Sequence, residues 1–169
     1  MKRRKMSFQS EASREAEGAR PVGQMDEISP RQQWLVKCVR CWMDVPDYPS
    51  LIKGMLPGDS GTHQKMLCLR ACEAFLCNLA VSVQRPIARH AVECPCIGQD
   101  EAVLLSVMHH AGIGDRYGAK VHAARLVRSD RLEPLIDAAE DLSIVISGDV
   151  YSAESFERPS LSPRTGHLH

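Results

Sequence analysis

The segment over about residues 62–84 constrains the fold most. Met66, Leu69, Cys72, Phe75, Leu76, Leu79 and Val83 recur at three- and four-residue steps, and the run from Ala71 to Val83 is apolar nearly all round. A helix with little polar face is normally central and touched from several sides. The pattern therefore predicts a long central helix, stopped by Pro86, whose ring removes a backbone donor and clashes with the preceding turn.

The other helices follow from local signals. Ser29 and Pro30 suit the N-cap and first position of a helix whose apolar stripe is Trp34, Leu35, Cys38, Cys41 and Trp42. The prolines at 46 and 49 end it, since each disfavours helix in the residue before it. Residues 45–61 read as a connector with a short helical turn near 50–55. A third helix is expected over 99–111, closed by Gly112 and Gly114, and a fourth over 116–128, capped by Asp115. Leu132, Leu135, Ile136, Ala139 and Leu142 form the stripe of a fifth. The β-branched run at Ile144–Ile146 finishes that helix or forms a short extended piece; propensity does not choose. Aromatics are only 5% of the chain, so aliphatic residues, Ala, Met and Cys must fill the core. The expected fold is all-α: a compact bundle of about five helices in one domain over 29–147, with disordered tails over 1–28 and 148–169.

Charge excludes several function classes. The 21 basic and 21 acidic residues cancel, so no global field draws the chain to nucleic acid or to a membrane surface. No run reaches the roughly 18–20 apolar residues of a membrane span. The basic start Lys2–Lys5 is followed by no apolar segment, unlike a secretory signal, and a reducing, cytoplasmic setting is expected. Arg116, Lys120, Arg125, Arg128 and Arg131 add local positive charge, but Glu133, Asp137, Glu140 and Asp141 on the following helix would repel phosphates. A DNA-associated regulator is the weakest reading.

Chemistry concentrates between the second and third helices, in Pro86–Glu101. This stretch holds His90, Cys94, Pro95 and Cys96, and ends in Gly98-Gln99-Asp100-Glu101, which reads as a helix start. The chain has seven cysteines, and in a reducing compartment they are packing residues, metal ligands or reactive thiols rather than a disulfide framework. Zinc takes four Cys or His ligands, so Cys38 and Cys41 with Cys94 and Cys96, or a set including His90, is a candidate metal site, with zinc as the implied cofactor. Against this, Cys38, Cys41, Cys68, Cys72 and Cys77 fall on helices and read as core fillers. Cys94 and Cys96 lie in a loop and are the redox candidates. Cys96 precedes the third helix, whose N-terminus would favour a thiolate, while Glu93, Asp100 and Glu101 oppose it. The histidines at 109 and 110 read as helix-end residues.

No phosphate loop, nucleophile elbow or H-E-x-x-H pattern occurs, and a non-enzymatic role is expected. The leading expectation is a regulatory or accessory protein with a metal or redox thiol site at the Cys-Pro-Cys turn. The alternative is a protein–protein interaction module whose cysteines only pack, and whose Trp34 and Trp42 meet a protein partner or a second copy.

Overall fold

The structure, a computed structural model, describes residues 16–56 and 61–154. It is mostly helical. A short strand β1 (Pro21–Gln24) precedes α1 (Pro30–Asp44), α2 (Tyr48–Met55) and α3 (Thr62–Ser82). A loop then leads to β2 (Cys96–Gly98), α4 (Gln99–Gly112), α5 (Arg116–Ala123) and α6 (Leu132–Glu154). Among the described residues no helix is long and apolar enough to cross a membrane.

The boundaries obey local chemistry. Ser29 caps α1: its hydroxyl accepts from the Gln32 amide at 3.3 Å, and the Gln32 side chain accepts from the Ser29 amide at 2.9 Å. Asp115 caps α5 by accepting from the Gly118 amide at 2.9 Å. Between α4 and α5 the chain turns through Gly114, whose φ of 76° is reached without strain by glycine.

The core is shared between helices. Phe75, Leu76 and Leu79 of α3 are buried with Leu135, Ile136, Ala139 and Leu142 of α6, and the α3–α6 pair is the most extensive helix contact. α3 packs on α1, α2 and α6, while α4 meets α1, α5, α6 and both strands. The 62–84 helix is thus touched from several sides as expected, but its apolar surface is not buried all round: α3 leaves Ala74, Cys77, Ala80 and Val81 exposed. Small or weakly apolar residues such as Ala and Cys lose little by facing water, so an all-round apolar pattern did not require all-round burial. Cys77 is thus at the surface rather than in the core.

Two further expectations change. The fourth helix stops at Ala123, not 128. Leu126 and Val127 instead enter the core beside the end of α3. Val127 bridges Val83, the Gln84 amide donates to the Leu126 carbonyl at 2.9 Å, and the Arg128 amide donates to the Ser82 carbonyl at 3.0 Å. These bonds take the place of the next helical turn. The run Ile144–Ile146 is helical, and α6 continues to Glu154 into the expected C-terminal tail. At the other end, the tail expected over 1–28 includes β1, which pairs antiparallel with β2. Residues 1–15 and 155–169 lie outside the described residues.

Ion pairs tie α5 to α6. Arg116 donates to Glu133 and Asp137, each at 2.8 Å, and also meets Glu140, while Lys120 meets Glu133. The Lys120 and Arg116 cations hold the Glu133 carboxyl below its usual range. The basic side chains at 116 and 120 are therefore spent within the fold rather than offered to phosphates.

Phe75 tests the core arrangement. Phe75→Ala is expected to cost about 3–5 kcal/mol in urea-induced unfolding, because the ring is fully buried. An unchanged denaturation midpoint would contradict the placement of α3.

Candidate functional site: a thiol turn clamped by a buried arginine

The Pro86–Glu101 stretch is built around a residue that sequence reasoning passed over. Arg40, on α1, is fully buried. Its Nε donates to Glu101 Oε1 at 2.7 Å and its Nη2 to Glu101 Oε2 at 2.8 Å, a two-point ion pair. The same guanidinium reaches the loop backbone: Nη1 donates to the carbonyls of Ala91 at 3.1 Å and Cys94 at 2.7 Å, and Nη2 to that of Cys96 at 2.6 Å. Glu101 closes the circuit. It accepts from the Gly98 amide at 2.9 Å and the His90 amide at 3.3 Å. A buried charge is costly unless paired and hydrogen-bonded; here both members of the pair are.

A second pair anchors the upstream half of the loop. Asp100 accepts from Arg85 at 2.6 and 2.8 Å and from the Ala88 amide at 3.0 Å. Asp100 and Glu101 also stand in the first turn of α4, where carboxylates meet the positive end of the helix.

The clamp presents His90, Cys94 and Cys96 half-buried. His90 Nε2 lies 2.9 Å from the Ala19 carbonyl, and its Nδ1 lies 3.5 Å from Cys94 Sγ. A carbonyl only accepts, so Nε2 carries the ring hydrogen and Nδ1 of the neutral ring accepts from the Cys94 thiol. The Cys96 thiol is pushed up, first by the neighbouring Cys94 thiol, then by burial and by the charge of Cys94; Gln24 and Arg40 pull it partly back. This runs against the lowered pKa expected for Cys96, because the neighbouring thiol and burial act on it more than Gln24 and Arg40 do.

The strand β1 lies over this turn. Gln24 pairs with Cys96, Gly23 with Ile97 and Pro21 with Gly98. The Met25 amide donates to the Pro95 carbonyl at 2.7 Å, and the Gln99 amide donates to the Arg20 carbonyl at 3.0 Å. A Cβ at Gly98 would stand 3.0 Å from the His90 ring and 3.2 Å from the Gly18 carbonyl, close enough that the ring would have to give by a few tenths of an ångström.

The other expected site residues lie elsewhere. Cys38 and Cys41 are buried on α1. Burial, then the Cys72 thiol of α3 and the charges of Cys72 and Cys41, push the free Cys38 thiol well up. Burial, then Glu93 and Asp44, push Cys41 up. Among the described residues no group of three or more His, Cys, Asp or Glu is placed to hold a metal ion, so the set Cys38, Cys41, Cys94, Cys96 and His90 does not converge in this structure. Trp34 is 6% exposed and its Nε1 donates to the Ile52 carbonyl at 3.3 Å, which makes it a core residue holding α2 rather than a docking residue. Trp42 is partly buried against the same core.

Arg40 had one sequence signal: it is a cation between Val39 and Cys41, next to the apolar stripe of its helix. Its partner lies 61 residues away, and no spacing rule links them.

Two outcomes follow from this geometry. Arg40→Met should destabilise the chain by about 3–5 kcal/mol, and Arg40→Lys should not restore stability, because an ammonium cannot fork across the carboxylate and carbonyls; chemical denaturation measures both. Cys94→Ala should lower the midpoint of Cys96 thiolate formation, read from the pH dependence of its alkylation, because the first cause of its elevation is removed. No protein-family model matches the chain, and no curated protein or solved structure is similar to it.

Proposed function

We propose that the chain is a non-enzymatic regulatory or accessory protein whose Cys94–Cys96 pair is a redox-responsive dithiol, working in a reducing, cytoplasmic setting. The observation that carries the reading is the contact of Cys94 Sγ with His90 Nδ1 at 3.5 Å, with Nε2 held at 2.9 Å by the Ala19 carbonyl. A thiol, an adjacent base and a third group orienting the base are the parts of an activated nucleophile. In this reading Cys96, one residue beyond Pro95, resolves the product.

The chemistry balances with a hydroperoxide as oxidant. His90 takes the Cys94 proton, and the thiolate attacks the peroxide oxygen, giving a sulfenic acid and, for hydrogen peroxide, one water. The Cys96 sulfur then attacks the Cys94 sulfur. An S–S bond forms, the S–O bond breaks, and a second water leaves. The closed Cys-Pro-Cys ring is small and strained, a feature of labile, switching disulfides rather than structural ones.

A protein-interaction module is the second reading. Its support is the exposed apolar group Ile113, Tyr117 and Val121, of which Tyr117 is 80% exposed; the partner would be another protein or a second copy, met at α5 rather than at Trp34 and Trp42. Zinc as a cofactor and a DNA-associated role draw no support from the arrangement of the thiols or of the basic side chains.

Stoichiometric hydrogen peroxide should remove two hydrogens from the intact mass and join Cys94 to Cys96 in the peptide map. Iodoacetamide should modify Cys94 at least about tenfold faster than the buried Cys72. Equal, slow labelling of both thiols and no disulfide would leave the interaction module as the better reading.

A further inference from the structure

We infer that closing the Cys94–Cys96 disulfide detaches the segment Ala19–Met25 from the turn, so that the thiol pair controls whether β1 is docked. The inference rests on the dithiol reading above, and adds what the oxidation does to the rest of the chain.

Several ties of the segment end on the reacting residues or their partners, while the Arg20 carbonyl is held by the Gln99 amide. His90, which accepts from the Cys94 thiol, donates to the Ala19 carbonyl. Pro95, the residue between the two cysteines, accepts from the Met25 amide at 2.7 Å. Cys96 pairs with Gln24 in the ladder. Met25 packs partly buried against the core and is the main apolar anchor of the segment; Pro21, Val22 and Gln24 are exposed, Val22 at 47%. A segment held by a few exposed backbone bonds sits at the low-stability end of a fold.

Oxidation strains this side and not the other. An S–S bond of about 2.05 Å with a near-perpendicular torsion requires the two sulfurs to move together. Pro95 has a fixed φ and Arg40 holds the Cys94 and Cys96 carbonyls, so the adjustment falls on the peptide between Pro95 and Cys96, and the Pro95 carbonyl turns with it. On the inner side, Arg40 holds the Cys94 and Cys96 carbonyls from a fully buried position against Glu101. That side is the costly one to disturb. The outer side, where β1 lies, is the one that yields. The disulfide also leaves no S–H for His90 to accept, so the contact that holds the ring toward Ala19 is lost.

The test is amide hydrogen exchange on the full chain before and after stoichiometric hydrogen peroxide, with the intact mass recorded on the same samples. The Met25 and Gln99 amides, which span the β1–turn contact, should exchange about tenfold faster or more after oxidation. The Gln84 amide, bonded to Leu126, should not change, and Cys94→Ser should abolish the response. A disulfide in the mass with unchanged Met25 and Gln99 exchange overturns the release of β1 and leaves the dithiol reading standing. Faster exchange at Gln84 as well signals global loosening and also overturns it. A chain that forms no disulfide overturns both.

Discussion

The guanidinium of Arg40 is shielded from water and meets a carboxylate in two-point fashion while also reaching several backbone carbonyls of one loop. Loops normally stay at the surface because buried carbonyls need donors. Here one side chain supplies them, and Glu101 takes up two of the loop's amides. The result is a loop with helix-like definition and no regular secondary structure over most of its length. An arginine suits this task better than a lysine because its donors lie in a rigid plane.

The thiol turn inherits its geometry from that clamp. The carbonyls of Cys94 and Cys96 both point at Arg40, so their side chains are left on the outer side with His90. Half-buried sulfurs beside an imidazole are a different chemical environment from the thiols of α1 and α3. Cys38 and Cys72 are free thiols buried in the core, and burial pushes the Cys38 thiol up. The seven cysteines thus divide by surroundings, not by spacing: a buried group between α1 and α3, the exposed Cys77, and the pair at the turn.

Much of the architecture was legible locally. The cap at Ser29, the stop at Pro86, the start at Gly98 and the stripe Leu132–Leu142 are short-range effects, and the helices begin or run where those residues place them. The departures have long-range causes. Residues 124–128 leave the helix because Leu126 and Val127 find a place beside Val83 and Gln84. Trp34 reads as a docking residue from its helix alone, yet α2 folds back over it. β1 is too short and too polar to announce itself, and it is a strand because β2 offers it an edge.

By itself the sequence determined the helical class, most helix boundaries and the place of the thiol-bearing turn, because caps, breakers and apolar periodicity act within a few residues. Only the tertiary structure decided which thiols meet, that Cys94 rather than Cys38 or Cys41 faces His90, and that a buried arginine from α1 organises the turn. Those outcomes depend on side chains separated by tens of residues, brought together by the packing of α1 against α4. A buried charge pair has no periodicity to read; its necessity appears only when the core closes round it.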